Sequence, residues 1–79
     1  MRLNDEQLQA VAELVRGHNR QFLLFLEALG DYGEKLVQRM LYEEREQVEV
    51  VRGMARAVTE ILETVRDAPD QFSRVKEKT

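Results

Sequence analysis

The sequence predicts an all-α protein, an antiparallel two-helix hairpin that dimerises into a four-helix bundle. Three observations lead to this fold class. Apolar residues recur at helical spacing through most of the 79 residues, and no alternating strand pattern is present. Two glycines interrupt the apolar pattern near the middle of the chain. The apolar residues also form stripes wider than a pair of helices can bury on its own.

The first helix is expected from about residue 4 to residue 29. Asn4 can cap its N-terminus, and the Gln7 side chain can reach back to complete a capping box. Leu3 and Leu8 occupy the positions of a hydrophobic staple around this cap. Apolar residues then follow at helical intervals: Leu8, Val11, Val15, Phe22, Phe25 and Leu29.

The turn of the hairpin is expected at residues 30–31. Gly30 suits the position just after a helix, and Asp31 with Glu34 three residues later is typical of a new helix beginning. The alternative is that Gly30 and Gly33 lie inside one long helix, which would then pair with another chain. Two glycines beside a capping pair favour the turn.

The second helix is expected at about 32–68, which completes a hairpin of residues 1–68. Its apolar stripe runs from Val37 to Val65, and Pro69 disfavours a helical conformation in the residue before it. Residues 69–79 are expected to form either a short third helix or a flexible tail.

Self-association is expected because the hairpin cannot cover all of its apolar side chains. Five apolar residues in a row, 22–26, point in every direction around a helix. A small chain without cysteine also lacks disulfides to stabilise a small core. We therefore expect a homodimer. The expected interface residues are Phe22, Leu23, Leu24, Leu26, Val50, Ile61, Leu62 and Val65.

One polar pair interrupts the two apolar stripes. His18, which is the only histidine, should face Glu44 across the hairpin in the register set by a turn at residues 30–31. The preferred interpretation is a structural hydrogen bond that fixes the register. A pH-sensitive pair or a weak metal site using His18 and Glu44 are the alternatives. No catalytic residue and no cofactor are expected.

The composition also limits the function. The net charge is −3, no apolar run approaches the length of a membrane span, and no glycine-rich phosphate loop is present. We therefore expect a cytoplasmic, non-enzymatic interaction or regulatory protein, with a protein partner and no membrane contact. The alternative is a nucleic-acid-binding hairpin dimer, which we do not favour because acidic residues are interspersed among the arginines. That hairpin shape resembles the Rop-type RNA-binding hairpins, although no motif of that family is matched.

Overall fold

A computed structural model describes residues 1–77 of the chain. This part consists of three α-helices: α1 (Asp5–Arg16), α2 (Arg20–Met40) and α3 (Arg45–Glu77). No strand is present in residues 1–77. The all-helical class predicted from the sequence is therefore confirmed. The expected two-helix hairpin is not what is found, because a third helix precedes it.

The start of α1 follows the sequence closely. The Asn4 side chain accepts a hydrogen bond from the Gln7 backbone N–H at 2.8 Å, and the Asn4 N–H donates to the Gln7 side chain at 3.0 Å. This is the capping box that the sequence predicts. Leu3 packs against the cluster that contains Leu8, as a hydrophobic staple requires.

The expected first helix over residues 4–29 is wrong, because the chain breaks at residues 17–19. Gly17 ends α1, and His18 takes a left-handed backbone conformation with φ 51°. Asn19 then caps α2 by accepting a hydrogen bond from the Phe22 N–H at 2.9 Å. The Asn19 side chain thereby accepts from one of the backbone N–H groups that the start of a helix otherwise leaves unpaired.

The expected turn at residues 30–31 is also wrong, because Gly30 and Gly33 both lie within α2. Each glycine costs about 1 kcal/mol relative to alanine in a helix interior. Close packing explains why residue 33 is a glycine, since a Cβ there would lie 3.1 Å from Val58 Cγ1 on α3. The alternative prediction is therefore confirmed in one respect: both glycines lie inside one helix.

The second break in the chain lies at residues 41–44, and α3 follows it. The expected second helix over residues 32–68 is therefore wrong at both ends, because α3 begins at Arg45 and continues beyond residue 68. Pro69 is inside α3, which continues to Glu77. The expected separate segment 69–79 is instead the last part of α3 as far as residue 77, and its last two residues lie outside the described part of the chain.

Both shorter helices pack on α3 and have little contact with each other. The α2 helix runs antiparallel to α3, since Gly33 approaches Val58 while Leu36 lies in a cluster with Val51. The α1 helix runs parallel to α3. The Thr64 hydroxyl lies 3.4 Å from the Met1 carbonyl oxygen, whereas Arg16, at the other end of α1, contacts Pro69 and Ser73.

The core consists of two separate clusters of small volume. One joins α2 to α3 through Leu36, Val51, Ala55 and Val58. The other joins α1 to α3 through Leu8, Ala12 and Ala68. These seven residues are the buried hydrophobic residues of the described chain, and three of them are alanines. The Cα positions extend 50 × 26 × 14 Å, so the molecule is long and shallow.

Candidate interaction surface

The three-helix layer has several large apolar side chains that are exposed. In α2, the exposed fractions are 42% for Leu23, 52% for Leu24 and 59% for Phe25. Successive residues of a helix are rotated by about 100°, so these three side chains leave α2 on three different sides. Val37 on α2 and Val50 on α3 are each more than half exposed as well.

A shallow apolar groove lies between α2 and α3. Its volume is about 410 Å³, and small residues line much of it. From α2 it is lined by Gly30, Gly33, Glu34, Val37 and Gln38, and from α3 by Ala55, Val58, Thr59 and Leu62. A smaller depression shares Ala55 and Thr59 with this groove and is bordered by Arg52 and Arg56. One side of the layer is therefore open at Gly30, where no atom lies within 4 Å of the position that a Cβ would take.

The eight residues expected at a dimer interface do not all behave alike. Leu23, Leu24 and Val50 are exposed, whereas Phe22, Leu26, Ile61 and Val65 are half-buried. Leu62 packs against the α2–α3 cluster of its own chain. The expectation assumed a helix 1 too short to cover Ile61 and Val65. In the observed fold, α1 and α2 lie along that part of α3, which is why these residues are partly covered.

His18 and Glu44 are not brought together. They lie beyond opposite ends of α2, which has 21 residues and is therefore about 30 Å long at 1.5 Å per residue. Both side chains are exposed. Their predicted pairing depended on a turn at residues 30–31, which is absent. In residues 1–77, no group of three or more histidine, cysteine, aspartate or glutamate side chains is placed to hold a metal ion.

Four of the nine arginines make separate local contacts within the chain. The Arg16 guanidinium donates to the Pro69 carbonyl at 2.9 Å and to the Ser73 hydroxyl at 2.6 Å. Arg39 pairs with Glu43, and Arg52 pairs with Glu49. A hydrogen bond to Asp67, with the attraction of the same carboxylate, raises the pKa of Arg66 above its ordinary value. Alternating charges of this kind are typical of a solvated helix surface.

No protein-family model, no curated protein and no solved structure matches this chain. None of the described helices combines the length and the apolar character needed to cross a bilayer. What the protein does is therefore inferred from its packing and its surface.

Proposed function

We propose that the protein is a non-enzymatic helical interaction protein that associates with a second copy of itself through the apolar surface of α2 and α3. The observation that carries this proposal is the exposure of large apolar side chains on α2, among which Leu23 is 42% exposed and Val37, which lines the groove, is 53% exposed. Burying one such side chain fully is worth about 1.5–3 kcal/mol.

The small core supports the same conclusion. A single chain of this size is expected to be only marginally stable, with about 5 kcal/mol or little more. The seven buried residues include three alanines, each of which removes little apolar area from water. Covering exposed apolar side chains by association would therefore add to the stability that this small core provides. A further protein partner on the same surface, and a cytoplasmic location for this cysteine-free chain, belong to the proposal too.

The test is the mass of the full chain in solution, measured by light scattering from about 1 to about 100 µM. We expect the mass to approach twice 9.3 kDa as the concentration rises. A mass that stays at 9.3 kDa over this range, for a folded sample, would overturn the proposal. Circular dichroism of the same samples shows whether the chain is folded.

A further inference from the structure

The second copy can be placed more closely, because one line of residues on α2 has a repeating order. We define the α2 stripe as Leu23, Leu26, Gly30, Gly33 and Val37. These residues follow one another at alternating intervals of three and four, which is the spacing of a helix–helix seam. Gly30, Gly33 and Val37 line the groove between α2 and α3, so the stripe lies on its open side.

Within this stripe, large residues come first and glycines follow. A Cβ atom added to Gly30 would meet no atom within 4 Å, so the space above this glycine is empty in the isolated chain. Leu23, meanwhile, is 42% exposed. An antiparallel copy of α2 would bring leucines over glycines. If the two-fold axis passes near Ala28, Leu23 lies opposite Gly33 of the second copy, and Leu26 lies opposite Gly30 of the second copy.

The charges along the edge of the stripe favour the same register. Arg20 lies eight residues before Ala28 and Glu34 lies six residues after it, on the same edge of α2. Neither makes an ion pair within residues 1–77. The antiparallel pairing therefore places Arg20 beside Glu34 of the second copy, and symmetry produces this contact twice. Glu27 beside Glu27 of the second copy is the one like-charge contact.

A second antiparallel register is possible along the same stripe. It is less favourable both for side-chain packing and for charge. It would place Gly30 opposite Gly33 of the second copy, so that no side chain of the second copy fills the open space over Gly30. It would also place Glu27 beside Glu34 of the second copy, twice, and like charges at this spacing destabilise a helix pair.

The α3 helices meet favourably about the same axis. The contact of Gly33 with Val58 and the antiparallel direction of the helices place Ala28 of α2 level with Glu63 of α3. Arg56 and Asp70 are each seven residues from Glu63, and neither has an ion pair within the described residues. Arg56 borders the open side of the layer. A two-fold axis at this level brings Arg56 of one copy towards Asp70 of the other.

We infer that the groove between α2 and α3 is the dimer interface, in which α2 packs antiparallel on α2 of a second copy, with Leu26 seated over Gly30 and Leu23 level with Gly33 of that copy. This inference rests on the proposed self-association and names the surface that carries it. It also separates Leu23 from Leu24, because the next residue along the chain points away from the stripe.

The decisive variant is Gly30→Leu, compared with Gly53→Leu in α3. Both glycines are helical with open space around them, so each change should be tolerated by the single chain. Only Gly30 lines the groove. We expect Gly30→Leu to weaken dimerisation at least tenfold, as measured by sedimentation equilibrium, and Gly53→Leu to leave it unchanged.

A pair of charge variants tests the register independently of side-chain volume. We expect Arg20→Glu to weaken the dimer and the double variant Arg20→Glu with Glu34→Arg to restore it. We also expect Leu23→Glu to dissociate the dimer, whereas Leu24→Glu leaves it in place. The charge pair keeps the inference testable if the leucine at residue 30 prevents folding.

The outcomes distinguish the two proposals. A wild-type chain that is monomeric at about 100 µM overturns the self-association and the interface together. A wild-type dimer that survives both Gly30→Leu and Arg20→Glu retains the proposed function and overturns this interface. Loss of the dimer in both variants, with Gly53→Leu unaffected, supports the groove.

Discussion

The backbone of His18 has a conformation that side chains with a Cβ atom rarely adopt. Its φ of 51° lies in the left-handed region, where an L-residue is disfavoured by roughly 1–2 kcal/mol. Gly17, the residue before it, has an ordinary φ of −74°. Gly17 therefore lies one position before His18, the residue whose backbone conformation would favour a glycine.

Replacing His18 by glycine should stabilise the protein. We expect His18→Gly to raise the free energy of unfolding by about 0.5–1 kcal/mol, because relief of the left-handed strain exceeds the added freedom of the unfolded chain. Urea denaturation at one fixed protein concentration measures this difference. His18→Val is the control, since a β-branched residue should lower the stability, and equal stability of the two variants would contradict the conformation.

Single capping residues were predictable where their partners are close in sequence. Asn4 and Gln7 form the expected box because each completes the other's hydrogen bonding within one turn. The Asn19 cap gives an equally local signal, which the apolar stripe running through residues 15–22 obscured. The pairing of His18 with Glu44 failed for another reason, since it required the position of a distant turn.

Among the elements, α3 continues through a proline. Pro69 has no N–H, so the Val65 carbonyl loses the donor that a helix normally provides, and the ring crowds the preceding turn. Packing compensates for this at the adjacent Ala68, which is fully buried against α1. The Arg16 guanidinium also binds the Pro69 carbonyl from α1.

Removing this proline should therefore strengthen α3. We expect Pro69→Ala to raise the free energy of unfolding by about 1–3 kcal/mol, because it restores a helical hydrogen bond and leaves the carbonyl that Arg16 binds. Thermal or urea denaturation measures the change, with the exposed Gln71→Ala as a control for α3. A loss of stability in Pro69→Ala would mean that α1 docks only on a helix bent by the proline.

The all-helical class was predicted correctly, whereas the number of long helices and their ends were not. Gly30, Gly33 and Pro69 are strong local signals for a helix end, and all three lie inside helices. At Gly33 and next to Pro69, packing against a neighbouring helix outweighs the signal. Gly33 illustrates the cause, because its missing side chain is what lets α2 approach Val58. No pattern within α2 alone reveals that contact.

On the scale of the whole molecule, the isolated layer buries few large side chains. If association supplies the missing burial, stability must depend on concentration. We expect the midpoint of thermal unfolding to rise by about 2–5 °C for a tenfold increase in protein concentration. Calorimetry at two concentrations measures this shift. A midpoint independent of concentration would show that the single chain needs no partner to fold.

The wide apolar surface was apparent from the sequence, whereas its location was not. The run 22–26 indicated that some apolar side chains must remain uncovered, and Leu23 and Leu24 are exposed as that reasoning requires. Phe25, which was expected in the apolar stripe of the first helix, is 59% exposed, so its expected place in that stripe is wrong. The groove that Gly30 and Gly33 line was hidden, because Gly30 had been assigned to the turn and Gly33 to the start of the second helix. Because the topology was predicted wrongly, Gly30, a residue of the candidate surface, was expected in a loop.

The two core clusters have no member in common, and α1 and α2 are joined mainly through their separate contacts with α3. Breaking one cluster therefore does not require breaking the other. Release of α1 would expose Ala68 and the amide groups around it to hydrogen exchange, while the helix pair around Leu36 stayed intact. We therefore expect the protein to open in stages, in which one short helix can separate from α3 while the other remains packed.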